Sequence, residues 1–297
     1  MGGRWTMLDG RGAVRVDGPD ARDFLQRVIT QDLGRVGPEQ AAWGALLTPQ
    51  GKFLHEFFLV EHDGALLLDG EAPRCGDLAQ RLSRYRLRAR VTVAPEPAFA
   101  VAAAWGDGAP AALGLPAIRG AARVFAGGVA FNDPRHDGLG ARVLAPRAGL
   151  ATALVAAGLA EADPAGWDAV RLACGVPDGS RDLEIDRSVL LEANFDLLDG
   201  IDWSKGCYIG QEVTARTRYR GLLKRRLVGV AIDGPTPPPG TPVTLDGREI
   251  GEMRSAAGGR GLALLRLDAL AGAAGAPLAA GPARLVADPL PDAAREA

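Results

Sequence analysis

The stretch K-G-C-Y-I-G-Q-E-V-T-A-R-T-R-Y-R-G, residues 205–221, follows E-A-N-F-D-L-L-D-G-I-D-W-S at 192–204 and carries most of the information about fold and chemistry. Cys207 lies between Gly206 and Gly210, on backbone free to bend sharply, two positions after Lys205, a cation that favours the thiolate. Such a thiol can attack an electrophile, ligate a metal or form a mixed disulfide. A small buried apolar side chain is the competing reading, because free cysteine is among the most buried residue types. Local context leaves the two evenly balanced. Trp203 and Tyr208 flank the thiol and can either stack on a planar heterocycle or fill a core. Arg216, Arg218, Arg220, Lys224, Arg225 and Arg226 follow within a short run, which suits phosphate, a carboxylate-rich tail or simply a solvated face.

Working outward, 297 residues with 47% hydrophobic side chains suggest about two domains. Basic and acidic residues nearly balance, 34 against 36, so the chain as a whole has no pull toward nucleic acid or an anionic membrane. The Arg-rich run has only Tyr219 as an interleaved aromatic, and nucleic acid is not an expected partner. Cys75, Cys174 and Cys207 show no C-x-x-C spacing and too little density for a disulfide framework. The N-terminal stretch lacks the apolar core of a secretory leader, and no later segment offers about 20 apolar residues for a span. The expected compartment is the cytoplasm, with no membrane partner. Signatures of P-loop, dinucleotide, zinc-protease and serine-hydrolase sites are absent from the sequence, and three histidines (55, 62, 136) argue against a His-rich metal site.

The local pattern reads as α+β. Residues 13–16 alternate as a strand, and a helix from Asp20 puts Phe24, Leu25, Val28, Ile29 and Leu33 on one face. Trp43–Leu47, Phe53–Val60 and Ala65–Leu68 read as an antiparallel meander. A helix near 74–84 leads into Tyr85–Val91, whose alternation predicts a strand with three arginines on one face. An Ala-rich helix near 148–160 and one opening at Asp163-Pro164 and closing at Gly175 follow. After the prolines of 233–242, a hairpin at Asp246-Gly247 and a strand over 261–267 form a small all-β unit, and the last ten residues read as a loose tail.

The segment K-G-C-Y-I-G-Q-E with T-A-R resembles the signature of the YgfZ family of folate-binding proteins, which also includes mitochondrial iron-sulfur maturation factors. Similar stretches run along nearly the whole chain: V-D-G-P-D-A-R-D-F-L-Q, T-Q-D-L at 30–33, T-P-Q-G-K-F-L at 48–54, D-A-V-R-L-A-C-G-V-P at 168–177 and G-L-L-K-R-R-L-V-G-V at 221–230. The resemblance implies a three-part α+β fold like that of the glycine-cleavage T-protein: two interleaved lobes and a C-terminal β-barrel around a central folate channel. It implies a folate-binding region over 1–222 and the barrel, with its tail, over 223–297. It further implies an accessory factor, rather than a conventional enzyme, that binds tetrahydrofolate and serves assembly or repair of iron-sulfur clusters. In it Cys207 acts as thiol or as one ligand of a transient cluster shared with an assembly or client protein.

Lys205, Tyr208, Gln211, Glu212, Asn194, Trp203, Arg216, Arg226 and His55 are the residues expected to hold folate. T-proteins carry a paired Asp-Asp where this chain has His55-Glu56, and a glutamate where it has Ala173. Glu56 keeps a carboxylate one methylene longer, so the alternative function is a tetrahydrofolate-dependent aminomethyl or one-carbon transferase that uses Glu56.

Overall fold

The protein is described by a computed structural model over residues 2–273 and 276–290. It divides into two compact units: one holds the described residues up to Leu47, with Leu54–Trp167 and Asp199–Ile209; the other holds Thr48–Phe53, Asp168–Leu198 and the described residues from Gly210 onward.

In the first unit the meander appears where its alternation predicts it. A five-stranded sheet runs in the order Ala42–Leu47, Phe53–His62, Ala65–Glu71, Arg11–Asp17, Thr92–Pro95. Its period of two sorts side chains onto two faces. Val14, Val16, Phe57, Leu59, Leu66 and Leu68 face one way, onto the helices Ala21–Gln26 and Cys75–Tyr85. A six-stranded sheet runs Ala160–Glu161, Arg4–Met7, Phe99–Trp105, Ala141–Pro146, Gly128–Asn132, Ala122–Phe125. Its small side chains, among them Ala100, Ala102, Ala104 and Ala130, pack with Leu150 and Leu154 of the helix Arg147–Ala156. The chain alternates between sheets, since Arg4–Met7 and Arg11–Asp17 are consecutive strands of different sheets. This is the interleaving expected of the two lobes. Phe58 of the first sheet meets Phe131 of the second, ring centroids 5.7 Å apart.

In the second unit six strands close a barrel in the order Arg225–Asp233, Arg260–Arg266, Arg248–Ala257, Pro242–Leu245, Leu278–Ala280, Ala283–Ala287. Closure removes the unpaired edges that an open sheet would expose. Asp246 (φ 50°) and Gly247 (φ 77°) make the hairpin turn with both central residues left-handed, the geometry that Asp-Gly favours. The all-β reading of this region holds; of its expected tail, residues 291–297 lie outside the described residues. Among the described residues no helix is long and apolar enough to cross a membrane.

Two expectations are corrected. Tyr85–Val91 is not a strand: Tyr85 ends the helix, the Arg86 amide bonds the Ser83 carbonyl and the Ala89 amide the Arg86 carbonyl in a turn, and strand pairing begins only at Thr92. Apolar residues interleaved with arginine mimic a strand's period without supplying a ladder partner. The helix from Asp20 ends at Gln26; Val28, Ile29 and Leu33 are buried as expected, but beyond that helix, Leu33 at the start of the short 3-10 helix Leu33–Arg35. Apart from these corrections, the compact units group Thr48–Phe53 and Asp168–Leu198 with the barrel strands, which begin at Arg225. There the Phe53 amide bonds the Ser188 carbonyl at 2.9 Å, and Lys52 bridges Val189.

The turn of this hairpin packs closely. Gly51 has φ +72°, and a Cβ added there would lie 3.0 Å from Val213 Cβ and 3.1 Å from the Gly210 carbonyl oxygen. Gly51→Ala is expected to cost about 1–3 kcal/mol, from left-handed strain and overpacking together. A urea midpoint equal to that of the wild type would contradict this.

Candidate functional site

The cysteine segment is fastened to the stretch that follows the first helix. Thr30 donates from its hydroxyl to the Gly200 carbonyl (2.7 Å), Gln31 from its amide nitrogen to the Asp199 carbonyl (2.7 Å), and the Asp202 amide bonds the Thr30 carbonyl (3.0 Å). Asp202 accepts the amides of Ser204 (2.8 Å) and Lys205 (2.9 Å), so its side chain shapes the turn that precedes the thiol. Lys205 is buried, and its ammonium donates to the carbonyl oxygens of Ile29 and Gln31, each at 2.7 Å, rather than to the thiol. Burial pushes its pKa down to about 8 against the pull of Asp32 and Asp202. Tyr208 is buried with its ring 5.4 Å from that ammonium, and Ile209 packs on the core. Between these inward anchors Gly206 and Cys207 are exposed. Trp203 is half-buried.

The other two cysteines differ. Cys75 is buried, and desolvation, with Asp69 adding, pushes its thiol up to about 11; Cys174 is half-buried. The sequence left the exposure of Cys207 open. The structure resolves it in favour of a presented thiol.

His55 and Glu56 are neighbours in sequence but face opposite ways, as adjacent residues of a strand must. His55 turns to the helix side, where Nε2 meets Asp77 Oδ2 at 2.8 Å. Burial, with Arg74 adding, pushes the imidazole from 6.5 down to about 4 despite Asp77. Between those values the unfolded chain binds a proton that the folded chain refuses, so stability rises with pH across this window and is lost as pH falls through it. The lost stability amounts to roughly 3 kcal/mol. His55→Gln should therefore flatten the acid limb of the stability profile between about pH 6.5 and 4; an unchanged limb would refute the assignment.

Glu56 turns toward the second sheet, into a charged cluster that sequence reasoning did not single out. Its Oε1 accepts a hydrogen bond from Arg11 Nη1, and its Oε2 accepts the indole N–H of Trp43 at 2.6 Å. Arg11 also donates to Asp69 Oδ1 and to the Asp69 carbonyl, both at 2.7 Å. From the second sheet's side come a bidentate Arg135–Asp133 pair (2.9 and 2.7 Å) and Arg142, whose Nη1 lies 3.5 Å from Asp69 Oδ2. Three arginines and three carboxylates balance. All three guanidinium carbons stand over the Phe58 ring, at 4.1 Å for Arg142, 4.7 Å for Arg135 and 5.6 Å for Arg11. Burial pulls Arg142 below its ordinary pKa even with Asp69 and Asp133 beside it. Asp133, penalised by burial, is still held below the usual carboxylate range by Arg135. The signal available beforehand was a charge set into an apolar strand: Arg11, Asp69 in L-L-L-D, Arg142 in A-R-V-L.

Residues of the second unit divide by role. Arg226 is fully buried and donates to Asp196 through both terminal nitrogens (2.9 and 2.7 Å), to the Leu191 carbonyl and to Asn194 Oδ1. Asn194, left-handed at φ 62°, returns a bond to the Leu227 carbonyl at 2.8 Å. Their polar groups brace the 190–196 segment against the barrel strand. Gly210 (φ +82°) opens the helix Gln211–Tyr219; on it Glu212 and Arg216 pair with each other, and Gln211 is half-buried.

Comparison with known proteins follows these divisions. The family described as CAF17, C-terminal beta-barrel domain, matches residues 224–294. The crystal structure of glycine cleavage system aminomethyltransferase T from Bartonella henselae aligns with a TM-score of 0.79 over 97% of this chain and 86% of that one. At 17% identity that likeness shows the fold: T-protein-like, mixed α+β with a closed six-stranded C-terminal barrel. The iron-sulfur cluster assembly factor IBA57, mitochondrial, of Homo sapiens is 35% identical over 284 residues, covering 89% of this chain and 78% of the relative. The chain belongs to the IBA57 family. The Mus musculus IBA57 is 34% identical over 90% of this chain and 79% of its own length, and the Phaeosphaeria nodorum IBA57 homolog is 31% identical over 88% and 70%. All three IBA57 relatives are named mitochondrial, which overturns the cytoplasmic expectation. The absence of an apolar leader spoke only to secretion and could not decide among other compartments.

Proposed function

We propose that this chain serves assembly or repair of iron-sulfur clusters by presenting Cys207 as a thiol ligand to a cluster that a partner protein carries, and that it binds tetrahydrofolate as YgfZ-type proteins do. The placement of Cys207 carries the reading: it is exposed on a turn whose neighbours Lys205 and Tyr208 are held inward. Iron-sulfur centres usually take four protein ligands. Cys75 is buried, and among the described residues no group of three or more His, Cys, Asp or Glu is placed to hold a metal. A cluster on Cys207 therefore draws its remaining ligands from another molecule and is cargo. That molecule is an iron-sulfur assembly or client protein. In cells lacking the protein, wild-type chain should restore iron-sulfur enzyme activity; failure to restore it would remove this reading.

Folate, when bound, supplies a one-carbon carrier. Glu56, Lys205, Asn194 and Arg226 spend polar atoms within their own units, and Arg216 pairs with Glu212; the proposed folate contact is stacking on the rings of Trp203 and Tyr208, both in the first unit. Aminomethyl transfer through Glu56 does not fit, because both its oxygens hold strong bonds to Arg11 and Trp43. Tetrahydrofolate is thus read as a ligand of this chain. Saturable quenching of tryptophan fluorescence by tetrahydrofolate tests this, and its absence would remove folate from the account.

A further inference from the structure

The Arg-rich stretch R-Y-R-L-R-A-R, residues 84–90, takes no part in the function argued above, and its geometry is unusual. Leu87 at its tip is 91% exposed, the highest exposure among the large apolar side chains described. It also has φ +47°, a left-handed conformation that is costly for a leucine. Of the six other described non-glycine residues with positive φ, five are Asp or Asn, which tolerate it through their short polar side chains, and one is Ala126. The tip is nevertheless held firmly. The Ala89 and Val91 amides close turns onto Arg86 and Ala89 (2.8 and 3.0 Å), and Asp20 receives the Arg90 amide at 2.8 Å and its guanidinium at 3.1 Å. Tyr85 and Ala89 pack on the core from either side. Arg84, Arg86 and Arg88 flank the leucine in sequence and are exposed; Arg86 Nη1 donates to the Val91 carbonyl at 3.3 Å, and no ion pair joins Arg84 or Arg88 to another of the described residues.

A strained backbone that pushes an apolar side chain into water persists only where the surrounding structure enforces it, and such strain gathers at functional sites. A rigid apolar anchor flanked by exposed cations is preorganised, so little ordering cost remains to be met on binding. We infer that this turn is a docking finger: Leu87 enters an apolar socket on a partner protein, and carboxylates rimming the socket meet Arg84, Arg86 and Arg88. The occupant is a protein rather than a lipid surface, because one leucine on a fixed turn offers too little apolar area to anchor in a bilayer. The inference rests on the iron-sulfur reading for the identity of the partner, an assembly or client protein, but the turn's geometry stands independently of it.

The test expresses full-length Leu87→Gly, Leu87→Asp and Arg86→Glu/Arg88→Glu in cells lacking the protein, with Val124→Asp as a control on another exposed apolar residue. All three turn variants should lower restored iron-sulfur enzyme activity at least tenfold, with the control close to wild type. Leu87→Gly relieves the backbone and should melt no lower than wild type, a result that a structural role for the leucine would not produce. Full restoration by Leu87→Asp, or a markedly lower melting temperature for Leu87→Gly, would overturn the proposal. So would binding to mixed phosphatidylcholine–cardiolipin vesicles that Leu87→Asp abolishes, since the occupant would then be lipid. If wild-type chain itself restores nothing, the iron-sulfur reading has failed, and a photo-crosslinker at position 87 decides the docking alone. An adduct mapping to a carboxylate-rimmed apolar pocket of one identified protein, and lost in the double charge reversal, supports the finger; no adduct above that seen at position 124 overturns it.

Discussion

Cys207→Ala is expected to abolish restoration of iron-sulfur enzyme activity while leaving the protein folded and its melting temperature unchanged. The stability half follows from exposure: an exposed thiol buries little apolar surface, and substitutions away from core, caps and strained backbone usually fall within about 0.5 kcal/mol. The pinning bonds of the segment come from Thr30, Gln31, Asp202 and Lys205, none of which involves the thiol. The activity half follows from ligand chemistry, because alanine cannot bind iron and a cluster left one ligand short is not held. Cys75→Ala makes the contrast. Its buried thiol should react with a disulfide reagent only when the chain unfolds, so removing it should cost stability and spare activity. Equal restoration by wild type and Cys207→Ala, at equal protein levels, would reduce Cys207 to a surface residue.

Arg11→Met should destabilise the first unit by about 3–5 kcal/mol, the cost of breaking a buried ion pair by removing one partner. Arg11 answers two carboxylates at once, Glu56 and Asp69, both nearly inaccessible to water. Without it Trp43 remains on Glu56 Oε2, and Arg142 remains 3.5 Å from Asp69, too long for a good hydrogen bond. Arg11→Met/Glu56→Gln should recover part of the loss, since the amide still accepts from Trp43 and carries no charge to strand. Denaturant titrations of the single and double variants measure both effects. A loss below about 1 kcal/mol for Arg11→Met would mean that the cluster is wetter than its burial indicates.

What the sequence determined by itself is what neighbouring residues decide between them. Alternation over Phe53–Val60 and Ala65–Leu68 reports a strand because the side-chain period is a property of the local backbone. Asp246-Gly247 reports a hairpin because those two residues accept left-handed φ, and Asp163-Pro164 opens a helix because Asp163 can accept the Ala165 amide, at 2.7 Å. The T-protein-like fold was legible through family-like stretches spread along nearly the whole chain. Tertiary structure alone decided which polar groups are free. Glu56 is read from sequence as a carboxylate, and folding puts Arg11 and Trp43 on it; Asn194 and Arg226, far apart in sequence, meet each other and Asp196. Lys205 looked like a partner for the thiol until it reached the carbonyls of Ile29 and Gln31. Tyr85–Val91 alternated like a strand but had no partner strand, and the same absence of a ladder left Leu87 in water. Each of these outcomes depends on groups distant in sequence and brought together by folding, and a buried charge takes whichever partner the packing supplies. The residue types show which chemistry is available; only the packing shows which of it is already spent.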